Sequence, residues 1–222
     1  MLFYANVRIL FVRINLISQL SLRMLPARLK YRRIEAGCDE VGRGCLAGPV
    51  VAAAVILPPR IKHPHLKDSK VLSVKKRIAM FEWIKDNALA WSIQSVPPDK
   101  IDEINILNAS FLAMENAVNN LQLNPEHLLI DGNRFKTTLK IPFDCIIKGD
   151  SKFGSIAAAS ILAKTYRDEY MYSLHELHPE YGWNKNVGYP TQQHRSAIRA
   201  YGITPYHRKS FRLLPEQLSL NL

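Results

Sequence analysis

From Tyr31 onward the apolar positions fall into two alternating kinds of run. Residues 33–39 (RIEAGCD) read as a first strand. Residues 50–57 (VVAAAVIL) form an unbroken apolar run of strand length, the pattern of a strand covered on both faces, and Pro58 and Pro59 end it. Residues 90–96 (AWSIQSV) alternate with the two-residue period of a strand and stop at Pro97-Pro98. Residues 127–131 (HLLID) and 141–147 (IPFDCII) complete a set of five. Between them the period changes. Ser73 is placed to cap a helix over 74–88, with Ile78, Phe81 and Ile84 on one side. Residues 100–121 predict one long helix (Ile101, Ile104, Leu107, Phe111, Met114, Val118, Leu121), and residues 154–176 an Ala-rich one. A loop marked by Pro179, Gly182 and Gly188 precedes a short helix near 191–201. This order predicts an α/β domain, a mixed sheet flanked by helices, with a C-terminal helical extension.

Residues 1–30 have another character. The first 33 residues carry seven Arg or Lys and no acid. Arg8 and Arg13 interrupt the apolar run, so no stretch reaches the roughly 20 residues that a membrane helix needs. The segment shares features with an organellar presequence, but the reading preferred is a disordered leader or an over-extended start with Met24 as the first residue. The domain is expected over 31–212 and a flexible tail over 213–222.

Composition changes the picture only in part. With 222 residues, 47% hydrophobic and 22% charged, the chain can bury a core unaided, and disordered, collagen-like and coiled-coil classes are excluded. The formal net charge of +11 points to a polyanionic partner, although seven of those charges lie in the first 33 residues. Three cysteines without a C-x-x-C pair argue against a disulfide framework or a zinc finger and for a reducing, cytoplasmic compartment. A monomer is the default expectation.

Candidate chemistry lies in carboxylates. Asp39-Glu40 sits where a strand meets a Gly-punctuated turn, Asp131 ends HLLID, and Asp168 lies on the Ala-rich helix, on a side shared with Ala157, Ile161, Lys164 or Thr165, and Tyr172. Open α/β sheets gather reactive groups at the carboxyl ends of strands. Acids converging there need a hard cation, and Mg²⁺ suits carboxylate, water and phosphate oxygens. Adjacent strand residues point to opposite faces, so Asp39 and Glu40 share a site only if the strand bends, which Gly42 and Gly44 can supply. Spacing alone does not separate these acids from Asp68, Asp102, Asp144 or Asp150.

The block GCDEVGRGCLAGPVVAAAVIL (37–57) resembles the signature of ribonuclease HII, the type 2 ribonuclease H family. DSK at 68–70, LLIDGN at 128–133, GDSKFGSIAAASILAKTYRD at 149–168, GYPTQQH at 188–194 and HRKSF at 207–211 follow in that family's order, covering about residues 33–212. The resemblance implies the ribonuclease H-like fold. It also implies a divalent-metal endonuclease, using two Mn²⁺ or Mg²⁺ ions, that cuts the RNA strand of RNA/DNA hybrids and 5′ of single ribonucleotides in duplex DNA, leaving 3′-hydroxyl and 5′-phosphate ends. Asp39, Glu40, Asp131 and Asp168 match the acids expected to hold the metal. Gly42-Arg43-Gly44 matches the element that reads the 2′-hydroxyl, and Tyr189 the tyrosine that stacks on the following deoxyribose. Lys70, Lys152, His194, His207, Arg208 and Ser210 are candidate phosphate contacts. The type 3 enzymes carry an extra N-terminal domain for which the leader is too short, and a non-catalytic hybrid-binding module is the contrasting reading. The tail QLSLNL (Gln217–Leu222) resembles the peptide by which bacterial replication proteins bind the sliding clamp.

Overall fold

A computed structural model describes residues 24–66 and 69–214. Five strands, β1 (Glu35–Val41), β2 (Val50–Ile56), β3 (Ala90–Val96), β4 (His127–Asp131) and β5 (Phe143–Ile146), form one sheet in the order β3-β2-β1-β4-β5. The first three are joined antiparallel, and β4 and β5 add parallel to β1. The mixed sheet expected from the strand runs is therefore present. Pairing of Gly37 with Leu129 and Cys38 with Ile130 fixes the register of the central pair. Asp39 and Asp131 each lie two residues beyond the first of these pairs. They fall on the same face, at the carboxyl ends of adjacent parallel strands.

That face is covered by the Ala-rich helix (Gly154–Leu177, α4 in chain order), packed together with α1 (Val74–Asn87) through Val51, Ala53, Val55, Met80, Ile84 and the alanines of 157–163. Small residues let the helix settle close to the sheet. A Cβ at Gly37 would stand 2.3 Å from the Ile156 amide nitrogen, so only glycine admits this approach. The other face packs on α3 (Ile106–Asn119) through Cys38, Ala52, Ile130, Phe111 and Met114. A third cluster ties Leu46 and Ala47 to α5 (Trp183–Asn186) and α6 (Gln192–Tyr201), the C-terminal helical part.

Three expectations change. The helix read over 100–121 is two helices, α2 (Pro98–Ile104) and α3, because Asn105 takes φ 65° and its side chain accepts the Leu107 and Asn108 amides, ending one helix and capping the next. In α1 the buried residues are Arg77, Met80 and Ile84, whereas Ile78 is exposed, since the side that meets α4 runs through an arginine. The fold also starts before Tyr31. The Pro26 and Ala27 carbonyls accept the Gly154 and Ser155 amides, satisfying orphan donors at the start of α4, and buried Arg28 donates to the Leu57 and Arg33 carbonyls. At the other end Leu213 is buried, beyond the expected end of the domain at 212. Ser73 caps α1 as expected. Asp68, residues 1–23 and the tail motif Gln217–Leu222 lie outside the described residues.

Candidate active site

A cavity of about 440 Å³ opens at the carboxyl ends of β1 and β4, and Asp39, Glu40, Asp131, Ser69, Lys70, Arg77, Ser160, Lys164 and Tyr189 line it. Strand alternation puts Asp39 and Asp131 on the α4 side. Glu40 starts on the opposite side but lines the same cavity, where β1 has already run past the end of its pairing with β4. Its amide donates to Asp39 Oδ1 at 2.8 Å, and the chain then turns at Gly42, with φ 95°. A Cβ at Gly42 would lie 2.3 Å from Arg167 Nε, so neither the backbone angle nor the space admits another residue.

The acids are poorly tolerated as a bare group. Burial first, then the charges of Glu40 and Asp131, push the Asp39 carboxyl well above its ordinary range. Burial also raises Glu40, against the pull of Arg43, whose guanidinium lies 3.2 Å from Glu40 Oε1. Asp131 Oδ1 accepts the Gly149 amide at 2.7 Å. This brings up Asp150, a buried acid to which the sequence reading gave no role; Lys70 Nζ on the cavity wall stands 3.6 Å from its Oδ2.

Asp168 is placed differently from the expectation. It is absent from the cavity wall, and both its oxygens are taken: Oδ1 by Lys164 Nζ and Oδ2 by an Arg77 terminal nitrogen, each at 2.7 Å. Among the described residues, no group of three or more His, Cys, Asp or Glu side chains stands arranged to hold a metal ion. The donor chemistry of Asp39, Glu40 and Asp131, oxygens only and mutually repelling, nevertheless fits a hard divalent cation. The doubly paired Asp168 does not fit as a free ligand.

The phosphate-contact candidates divide. Lys70 and Lys152 are exposed, and Lys70 lines the cavity. His194, His207 and Arg208 are buried, at 0%, 1% and 0% exposure, and the expectation that they meet phosphate is corrected. Trp183 Nε1 donates to His194 Nε2, so the His194 proton sits on Nδ1, 2.9 Å from the Tyr189 carbonyl. His207 Nε2 then donates to His194 Nε2 while its Nδ1 accepts from the Thr204 amide. Burial pushes His207 down to about 4 and also lowers His194. These rings brace the loop that carries Tyr189. Arg208 donates to the Gly48 and Arg43 carbonyls and braces the Gly42-Arg43-Gly44 turn, which leaves Arg43 and Gly44 exposed. Ser210 is exposed but spends its hydroxyl and amide on Asp102.

The sequence gives no sign of Arg77 or Arg167, and places Lys164 on the side of Asp168 without assigning it a role. Arg167 is fully buried and donates to the Ala47, Pro49 and Val187 carbonyls, stitching the segment after the glycine turn to the Tyr189 loop. The available signal was that Ser160, Lys164 and Asp168 fall four residues apart, on one stripe of α4.

The family model described as Ribonuclease HII matches residues 36–214. The chain belongs to the ribonuclease HII family. It is thus an enzyme, a metal-dependent endoribonuclease of the ribonuclease H class. The ribonuclease HII of Bacteroides thetaiotaomicron is 61% identical over 199 residues, covering 89% of this chain and all of that protein. That of Parabacteroides distasonis is 60% identical over 197 residues, covering 89% and 99%. Among solved structures, the ribonuclease H2 of Pyrococcus horikoshii superposes with a TM-score of 0.68 at 25% identity, covering 81% of this chain and 94% of that one. A PCNA:RNase HII complex from Archaeoglobus fulgidus gives the same score and identity, covering 83% and 98%. No helix among the described residues is long and apolar enough to cross a membrane.

Proposed function

We propose that this ribonuclease HII family member cuts the RNA strand of RNA/DNA hybrids and, in duplex DNA, cleaves 5′ of a single embedded ribonucleotide, leaving 3′-hydroxyl and 5′-phosphate ends. The observation that carries this reading is one cavity lined by both kinds of group: Asp39, Glu40 and Asp131 share it with Lys70, Arg77, Lys164 and the 38%-exposed Tyr189. A phosphodiester entering it meets complementary charge at the cations, and needs a cation of its own to approach the acids.

Asp39, Glu40 and Asp131 would hold that divalent cation, Mn²⁺ or Mg²⁺, and buried Asp150, which follows the Gly149 whose amide Asp131 accepts, is the carboxylate to complete the set. When bound, such ions activate water and neutralise charge on the scissile phosphate, a pair of them serving both attacking and leaving oxygens. The protein's own part is selection and orientation. The exposed Arg43-Gly44 backbone can approach a 2′-hydroxyl closely. The Tyr189 ring, its carbonyl held by His194, offers a fixed surface for the next sugar. Lys70 reaches over the rim toward the phosphate backbone. The tail Gln217–Leu222 would dock on a sliding clamp; the archaeal relative in complex with PCNA supports that partner class.

The test is cleavage-site mapping on an end-labelled duplex with one ribonucleotide, in Mn²⁺, in Mg²⁺ and in EDTA. One cut 5′ of the ribonucleotide, abolished by EDTA, is expected. Binding without cutting in either metal would leave only a hybrid-binding module. Asp131→Asn is expected to keep duplex binding and lose orders of magnitude in rate, because the site's contribution is largely electrostatic.

A further inference from the structure

We infer that Lys164 binds a non-scissile phosphodiester of the cut strand, the one attached to the sugar resting on Tyr189, and that Asp168 and Arg77 position it. This rests on the nuclease reading above. Lys164 lies on the cavity wall one helical turn beyond Ser160, which hydrogen-bonds Ser69 at 2.9 Å. Its Nζ stands 5.9 Å from the centre of the Tyr189 ring, so the ammonium and the ring form one continuous surface. Arg77, Lys164 and Asp168 together place two cations on one carboxylate, leaving a surplus positive charge in the cavity that three acids also line. A surplus of this sign beside an exposed aromatic ring is the complement of a sugar bearing a phosphate.

The hydrogen bonds also let Lys164 leave Asp168 at little cost. Arg77 meets Asp168 through a single terminal nitrogen, and its Nε is buried without an acceptor. An orphan donor of this kind is unfavourable, and the two-point contact is the stronger form of an arginine–carboxylate pair. When Lys164 turns from Oδ1 to a phosphate, Oδ1 becomes available to Arg77 Nε. The carboxylate stays neutralised and the orphan donor gains its partner. Asp168 is in this account a positioning residue, which explains why it is sequestered from the acids.

The test uses duplexes with a single ribonucleotide in which each phosphate flanking the scissile one is replaced, one at a time, by an uncharged methylphosphonate. Cleavage (kcat/KM) and binding in EDTA are both read. In the wild type, one non-scissile position is expected to cost about tenfold or more. Lys164→Gln should cost about as much on the all-phosphate duplex and show no further penalty at that position, with the slope of log K on log salt falling by about one. Lys164→Arg should restore the penalty. A wild-type penalty that persists in full in Lys164→Gln would overturn the inference, as would the lack of any sensitive non-scissile position. If the wild type bound the duplexes but cut none, the nuclease reading would fail, while the binding data would still decide the role of Lys164. A structural role alone would lower Tm in Lys164→Gln and leave the methylphosphonate pattern intact.

Discussion

At the scale of single residues, the two kinds of buried acid here respond oppositely to removal of their charge. The Asp39 carboxylate is buried against the charges of Glu40 and Asp131, and what offsets them is the neutral Ser160 hydroxyl and Glu40 amide. Asp39→Asn should therefore abolish cleavage and yet raise the melting temperature measured in EDTA, because it relieves repulsion in a desolvated site. Asp168→Asn strips the shared counter-charge from Arg77 and Lys164, which are mostly shielded from water. It should cost about 3–5 kcal/mol in urea denaturation, the range for removing one partner of a buried pair. Equal destabilisation by both variants would contradict this division. A pH effect belongs at this scale too. His207 is neutral in the fold, with its pKa depressed from 6.5 to about 4 by burial and by His194. The unfolded chain takes up the proton first as pH falls, so stability is full above pH 6.5 and declines between 6.5 and 4. The decline should approach roughly 3 kcal/mol for this one group, and His207→Gln should flatten it.

At the scale of elements, the strands were legible because each run is bounded by hard punctuation. Pro58-Pro59 closes β2 and Pro97-Pro98 closes β3, and the parallel register of β1 with β4 then carries Asp39 and Asp131 to one edge. What the sequence hid has a physical cause in each case. The break at Asn105 interrupts no apolar periodicity, since the residue acts through a positive φ and its own side chain. Arg77 looks like solvent surface in the run KKRIAMF, and only the packing of α1 on α4 turns it inward. His194, His207 and Arg208 sit in blocks that resemble the family, which marks them as belonging to the site's architecture without telling contact from support. The loops they brace predict a clean separation. Arg208→Gln leaves the Gly48 and Arg43 carbonyls short of donors, so stability should fall by about 1–3 kcal/mol, while the salt dependence of duplex binding stays unchanged. A shallower salt slope would return Arg208 to the phosphate contacts.

At the scale of the whole molecule, the described fold runs to within a few residues of the clamp-like peptide. Near the C-terminus, Arg195 donates to the Arg212 and Leu213 carbonyls, and Leu213 is buried beside Ile198. Residues 217–222 therefore follow the last anchored turn by only a few positions, far in sequence from every residue lining the cavity. A short peptide that adds Leu220 and Leu222 to a partner's groove gains affinity without any change in the catalytic walls. Its benefit is local concentration, since a clamp encircling DNA would hold the enzyme near its substrate. Deleting Gln217–Leu222 should leave kcat/KM on a short free duplex within about twofold of the full chain, because the cavity's described lining comes from residues 39–189. On DNA carrying a loaded clamp, the full chain should cut faster than the deleted one, and clamp capture should vanish with the tail. Capture that survives the deletion would move the clamp contact onto the folded domain, while a loss of rate on the free duplex would tie the tail to substrate binding instead.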